Sequence, residues 1–279
     1  MRYFREKDAL PIALACGVLL MLGWFTLTIA QLEQNSTQAE SDLTQASVPV
    51  LMYHHLLPQD ALTGMFADNN VAVSVEQFTQ DIATLKAQGY HTISLRQLDD
   101  FVQGKEELPG KCVVITFDDG YLSNKIYAMP VLREAGYTAV IFALTGWIEE
   151  HPQEFRAAGL QYLSWPEIKE MKDTFQFASH TDNLHELSWN GKGKLTTVSE
   201  GELTEDVARS VKKLQGTQYF SYPYGHYNDI AKRVLAQEGI KLAFTVEPVN
   251  VRAGDDPLTL GRWDMYQYSI EDVLAQRRQ

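Results

Sequence analysis

The sequence predicts an α/β domain of parallel strands joined by helical crossovers, either an α/β barrel or a doubly wound sheet. Three observations carry this. Seven short apolar runs recur between residues 48 and 246, segments of helical period lie between them, and several of those segments open on capping residues and close on glycine. The runs are Val48–Tyr53, Tyr90–Ser94, Cys112–Phe117, Ala139–Leu144, Phe175–Ser179, Gln218–Ser221 and Leu242–Val246.

The helical segments follow in order. Ser74-Val-Glu-Gln77 and Ser94-Leu-Arg-Gln97 open the first two, and Ser164-Trp-Pro-Glu167 opens a later one with proline in its first turn. Gly89, Gly136 and Gly239 stand where three helices end. The chain has no internal repeat, no phosphate-binding glycine loop and no basic cluster.

Ahead of this pattern, Arg2, Arg5 and Lys7 precede an uncharged stretch from Ala9 to Ala30, long enough to cross roughly 30 Å of hydrocarbon as a helix. A single-pass anchor over residues 1–30 is expected, with the bulk of the chain outside the cytoplasm because the positive charges come first. A signal peptide cleaved after Thr28-Ile29-Ala30, leaving a secreted, surface-associated protein, is the alternative. Lipidation at Cys16 is a weaker third reading, because the residues after it stay apolar. Residues 31–47 are polar, lack aromatics and read as a linker, so the folded domain is expected over residues 48–279.

The 279 residues suffice for one large domain, and 45% hydrophobic with 22% charged residues is ordinary globular composition. A net charge of −12 weighs against nucleic acid or an anionic membrane surface as partner and suits a polymer of neutral or cationic sugars. Cys16 and Cys112 fall in unrelated contexts, so no disulfide between them is expected.

The residues after the strands are the informative ones. In either architecture chemistry gathers at the carboxyl ends of the strands. Tyr53-His54-His55 ends the first run, Asp118-Asp119-Gly120 the third, Ser179-His180 the fifth, and Tyr222-Pro223-Tyr224-Gly225 follows the sixth. The five-residue offset from His180 to His185 puts side chains roughly 140° apart on a helix and on opposite faces of a strand. Both imidazoles can therefore meet one point only if the segment bends. Two imidazoles and a carboxylate are a common shell for zinc or a similar divalent ion with open positions. Asp119 would be the carboxylate ligand and Asp118 the base that takes a proton from an activated water. Taken alone, each motif has a plainer explanation: a solvated Asp-Asp-Gly turn, or one histidine in a core and another at the surface.

Taken together, Thr116-Phe-Asp-Asp-Gly120 and the ordered histidine pair resemble the polysaccharide deacetylase family with the NodB-homology domain, over Val48 to the C-terminus. The Ser179-His180-Thr-x-Asn-Leu-His185 spacing and Met52-Tyr53-His54 resemble the branch acting on poly-β-1,6-N-acetyl-D-glucosamine. The resemblance implies a distorted (β/α)7-type barrel and a metal-dependent N-deacetylase, a hydrolase that releases acetate from N-acetylglucosamine residues of an extracellular polysaccharide. It implies a metal on Asp119, His180 and His185, and Asp118 as general base. It also implies an oxyanion contact from the backbone N–H of Tyr224 on a turn stiffened by Pro223. Zinc is the first expectation for the ion, with nickel, cobalt or iron also accepted by such a shell. A monomer is expected.

Two departures from the family pattern matter. Ser221 and Tyr222, not an arginine, precede Pro223, and no histidine follows His226. By resemblance His54 supplies the general acid, with His55 a bystander. Arg262, in Leu260-Gly-Arg-Trp-Asp264, is grouped with Tyr224 and Pro223 as an oxyanion- and substrate-side residue; it supplies the orienting charge beside Asp118 or else covers the rim. His226 is expected at the surface, and Trp147, Trp165, Trp189 and Trp263 either pack helices or stack on sugars. The polar loop 190–201 borders the groove or lacks order. The rival functions are the same chemistry on β-1,4-linked peptidoglycan or chitin-type sugars, and a non-catalytic glycan-binding protein.

Overall fold

Each apolar run is followed by a segment that carries the chain back across one face, so successive strands lie parallel with their carboxyl ends at a common edge. In the computed structural model, which describes residues 47–276 apart from 68–70 and 109, this yields a curled, half-barrel parallel sheet of eight strands. The strands are β1 (Val50–Tyr53), β2 (His91–Thr92), β3 (Cys112–Asp119), β4 (Ala139–Ala143), β5 (Phe175–Ser179), β6 (Tyr219–Ser221), β7 (Leu242–Phe244) and β8 (Trp263–Asp264). Their order across the sheet is β7-β6-β5-β4-β3-β1-β8, with β2 paired to the start of β3. The edges approach where Phe244 and Leu260 form a parallel bridge.

Register places the chemistry. Tyr53 is level with Phe117, Asp118 with Phe142, Asp119 with Ala143, and Ala143 in turn with Ser179. The chain therefore leaves β1, β3, β4 and β5 along one rim, and Ser179 is level with Phe220 of β6.

The helices are α1 (Val75–Ala87), α2 (Leu95–Val102), α3 (Met129–Ala135), α4 (Trp165–Glu170), α5 (Glu200–Lys213), α6 (Asp229–Gln237) and α7 (Ile270–Ala275). All three expected caps form. Ser74 accepts from the Gln77 N–H, Ser94 and Gln97 close a reciprocal box, and the Ser164 N–H and hydroxyl both donate to the Glu167 carboxylate. Gly136 stops α3 in the left-handed region at φ 72°, which glycine adopts without a Cβ penalty.

The strands differ from expectation where local chemistry intervenes. The first run is broken at Pro49, which has no N–H to donate; Ser47–Val48 pairs instead with Val251–Arg252. The second shrinks to two residues because Ser94 is taken as a helix cap. β3 runs on through both aspartates, and β8 is a two-residue strand that no apolar run announces. The expected anchor over 1–30 and linker residues 31–46 lie outside the described residues, whereas Ser47 is already paired with Arg252. No helix among the described residues is long and apolar enough to cross a membrane.

The core between sheet and helices is aromatic beneath the rim. Phe117 is fully buried and lies 5.5 Å from Tyr53, 5.6 Å from Phe78 and 5.9 Å from Phe175, centroid to centroid. A second cluster, including Leu203, Val207, Phe220, Tyr222, Val234 and Leu235, seats α5 and α6. Phe117→Ala should cost about 3–5 kcal/mol, since it deletes a ring whose neighbours cannot all collapse into the space. Urea denaturation checks this, and a loss under about 1 kcal/mol would mean the cluster does not hold the rim.

Candidate active site

Asp118 and Asp119 are adjacent at the end of β3 and 2% and 4% exposed, so each needs its own compensation. Asp118 faces inward. Arg262, itself 0% exposed, donates from Nη1 to its Oδ1 and from Nη2 to its Oδ2, both at 2.7 Å. This is the two-pronged geometry a planar guanidinium makes with a carboxylate. Arg262 is held in turn by the Thr245 carbonyl at 3.0 Å, Thr116 Oγ1 at 3.2 Å and Ser221 Oγ at 2.8 Å. Ser221 Oγ also donates to Asp118 Oδ2 at 3.2 Å. Burial by itself would raise the Asp118 carboxyl, but the Arg262 guanidinium, with help from His180, holds it well below the usual carboxylate range.

Asp119 turns the other way, at φ 70°, and Gly120 follows at φ 81°. A Cβ on Gly120 would sit 3.3 Å from Ile148 Cδ1, a tight contact that a small shift could relieve, so it is the left-handed conformation that calls for glycine here. Asp119 Oδ1 is 3.6 Å from His180 Nε2 and 3.4 Å from His185 Nε2, and it is buried with no hydrogen-bond partner. The bend predicted between the histidines is present: Thr181 adopts φ 79° and the imidazoles come to 5.1 Å, centroid to centroid.

These residues fit a divalent ion. His180 Nδ1 donates to the Ser221 carbonyl at 2.8 Å, which leaves Nε2 with its lone pair toward Asp119. His185 Nδ1 is 3.3 Å from the Tyr224 hydroxyl, and its Nε2 likewise points at Asp119. One ligand atom from each of the three residues lies within 4.8 Å of the others. An orphaned, buried carboxylate oxygen facing two imidazole nitrogens is the donor set that a cation completes. Burial pushes His180 down to about 4 despite the nearby carboxylates, so it is neutral, as a ligand must be.

The cleft above this group holds about 460 Å³ and is lined by His54, Asp118, Asp119, His180, His185 and Tyr224, with Met52, Val71, Tyr222, Val246, Pro248, Asp264, Gln267 and Tyr268 completing its walls. His54 is half-buried there, its carbonyl fixed by the Asn124 side chain at 2.8 Å. Tyr224 is 37% exposed at φ 58°, on the turn that the buried Pro223 begins. A Cβ on Gly225 would fall 2.6 Å from Val246 Cγ2, so the turn packs backbone against the cleft wall.

Two expected placements change. Arg262 and Pro223 do not line the cleft: both are buried, Pro223 inside its turn and Arg262 behind Asp118, where its five N–H donors are all taken by Asp118, Thr116, Ser221 and the Thr245 carbonyl, leaving none for substrate. Of the two placements expected for Arg262, it takes the one beside Asp118 and does not cover the rim.

The other singled-out residues sort by burial. His55, the expected bystander, does not line the cleft: it is buried, its Nδ1 lies 2.8 Å from Ser123 Oγ, and burial pushes it down to about 4. His226 is exposed, and its Nδ1 accepts from the Gly193 N–H at 2.9 Å, which ties down the 190–201 loop. That loop contains a 3₁₀ turn at Lys194–Thr196 and leads into α5. Trp263 is core, Trp165 packs against it, Trp147 lies 5.9 Å from the His185 ring, and Trp189 is 98% exposed. Sequence reasoning missed Ser221 and Thr116 as partners of Arg262, and Tyr121, whose hydroxyl bonds Asp119. The Ser221 position was legible only as a departure from the family pattern.

Residues 105–243 match the model of the family described as polysaccharide deacetylase. A poly-β-1,6-N-acetyl-D-glucosamine N-deacetylase of Staphylococcus aureus is 33% identical over 187 residues, 64% of this chain and 62% of that protein. The chain thus spans a little under two thirds of the length of that relative. The protein of the same name from Staphylococcus epidermidis is 27% identical over 280 residues, covering 94% of each chain. Among solved structures, IcaB from Ammonifex degensii superposes with a TM-score of 0.69 at 29% identity, covering 84% of this chain and 97% of that one.

The two buried neutral histidines give the metal-free protein a pH dependence. Unfolded, His55 and His180 titrate near 6.5; folded, near 4, so the unfolded state binds more protons between these values. Their contribution is complete above 6.5 and is lost as pH falls toward about 4. The Asp118 contribution is present above its ordinary 3.8 and is lost only at lower pH. Burial raises Asp81, to about 6, and Asp206, so these two groups act in the opposite sense within the same window. The urea midpoint of metal-free wild type should therefore fall further between about pH 6.5 and about pH 4 than that of His55→Gln. An identical pH dependence in the two would show that His55 is not buried neutral.

Proposed function

The chain belongs to the polysaccharide deacetylase family, and on that premise we propose that it hydrolyses acetamide groups of N-acetylglucosamine residues in an extracellular polysaccharide, with poly-β-1,6-N-acetyl-D-glucosamine as the preferred polymer. One observation carries the reading: two neighbouring buried carboxylates are divided, one locked onto Arg262 and the other presenting an unpartnered oxygen to two imidazoles in an open cleft. The two relatives named for this substrate, one matched along 94% of its length, support the choice of polymer.

Asp119, His180 and His185 would hold the ion. When bound, a divalent cation supplies Lewis acidity, polarising the acetamide carbonyl and making the attacking water more acidic. Zinc suits the shell first, with nickel, cobalt or iron as alternatives set by supply.

The remaining work falls to the chain. Asp118 accepts the proton as the water oxygen bonds to the acetamide carbon, and Arg262 keeps its two oxygens fixed and charged. The Tyr224 N–H, aimed by the left-handed backbone at that residue, donates to the oxyanion as the carbonyl becomes tetrahedral. His54 gives a proton to the departing nitrogen as the C–N bond breaks, leaving acetate and a glucosamine amine on the polymer. The anchor over residues 1–30 would keep this domain at the outer face of the cell membrane.

Asp118→Asn should keep stoichiometric zinc and lose turnover by about 10²–10⁴-fold, measured as acetate release from β-1,6 oligomers. Wild-type turnover in that variant would remove Asp118 from the base role. Chelation should abolish wild-type activity and added zinc restore it. Faster acetate release from β-1,4 oligomers than from β-1,6 oligomers would reassign the substrate to the peptidoglycan or chitin class, and none from either, with zinc bound, would favour a binding protein.

A further inference from the structure

Helix α5 carries a polar stripe on the face where an amphipathic helix ordinarily meets its core. Asp206 and Ser210 are 1% and 0% exposed, and Arg209 and Lys213 continue the stripe at helical spacing. Burying a carboxylate is costly unless donors meet it. Asp206 is met by the bend between the two histidines. Its Oδ1 accepts from the Asp182 N–H and its Oδ2 from the Asn183 N–H, both at 2.8 Å. Arg209 Nη2 stands at 3.5 Å.

The bend is held from other sides as well. Asp182 is 2% exposed and accepts from Thr145 Oγ1 at 2.6 Å, Lys213 Nζ at 2.7 Å and Arg209 Nε at 3.2 Å. The loop after β4 reads its carbonyls: Thr145 N–H donates to Thr181 O at 3.1 Å and Gly146 N–H to Asp182 O at 2.9 Å. A Cβ on Gly146 would lie 2.2 Å from Asn183 Oδ1. None of Asp182, Asp206, Arg209 and Lys213 lines the cleft, so any effect they have on it passes through the backbone.

We infer that Asp206 is a positioning residue: by chelating the two amides at the middle of the His180–His185 bend it fixes the separation of the imidazoles, and with it the affinity of the site for a divalent ion. The physical need is plain. The five-residue offset converges only if Thr181 stays at φ 79°, a conformation disfavoured for a β-branched residue, and two hydrogen bonds to one carboxylate keep that turn from relaxing. The inference rests on the reading of Asp119, His180 and His185 as ligands.

The test is zinc affinity of the whole chain, by competition with a chromophoric chelator, alongside kcat, KM and the melting temperature of metal-free protein. Asp206→Asn exchanges one acceptor for an amide that cannot receive the second N–H. It should bind zinc about 10–100-fold more weakly, the usual cost of losing a residue that orients a ligand. KM should stay near wild type, and kcat should recover as zinc is raised. Glu202→Gln, an exposed position on the same helix away from this network, should leave zinc affinity unchanged. Lys213→Met, which strips a donor from Asp182 at a part-exposed position, gives the same readout should Asp206→Asn fail to fold, with at least a threefold weakening expected. Wild-type zinc affinity in Asp206→Asn, or in Lys213→Met where it must stand in, overturns the inference alone. A wild-type chain that binds no zinc overturns the ligand assignment beneath it as well.

Discussion

Two carboxylates on successive residues, both nearly removed from water, set the terms for this molecule. Side by side and uncompensated, one of them would have to take up a proton. The structure gives each its own answer in opposite directions. Asp118 turns inward to a guanidinium 144 residues further along the chain, and Asp119 turns outward to two imidazoles with which it could hold an ion. Because Arg262 also bonds Thr116, Ser221 and the Thr245 carbonyl, one buried cation links β3, β6 and the segment after β7. The same group that keeps Asp118 ionised thus ties together the strand ends around the cleft. A buried ion pair of this kind is weak evidence for stability, but removing either partner would strand the other, so the pair specifies the geometry of the rim.

The rim also stores conformational strain. Among the described residues, four that are not glycine have positive φ, and three of these, Asp119, Thr181 and Tyr224, belong to the cleft or its histidine bend. Each marks a place where regular structure would aim a side chain or an N–H away from the common centre. Such positions persist only where their surroundings over-determine them. Asp119 is pinned between a strand and Gly120, Thr181 by the amide contacts of α5 and the β4 loop, and Tyr224 by Pro223 on one side and the packed Gly225 on the other.

The electrostatics suit a sugar polymer better than a polyanion. A chain of net charge −12 with an aspartate pair, Asp264 and no basic cluster at the cleft repels phosphate-rich partners and accommodates neutral or cationic ones. Val71, Val246, Pro248 and Tyr268 give the cleft apolar wall beside its cluster of carboxylates and imidazoles, the mix a ring with both apolar faces and polar edges would meet.

Much of this was legible in the residues. Alternating apolar runs and capped helices gave the parallel α/β layout, and Asp118, Asp119, His180, His185, His54 and Tyr224 could be placed on one rim because the carboxyl ends of parallel strands share an edge. What local pattern could not reveal is what depends on contacts distant in sequence: a two-residue β8, the burial of His55 against Ser123, and the direction in which Arg262 points. Arg262 shows the division most clearly. Its charge and position are written in the chain, but whether it covers a rim, meets substrate or grips Asp118 is settled only when the curl of the sheet brings residues 144 apart to 2.7 Å, since a hydrogen bond of that length is a property of the fold and of no sequence interval.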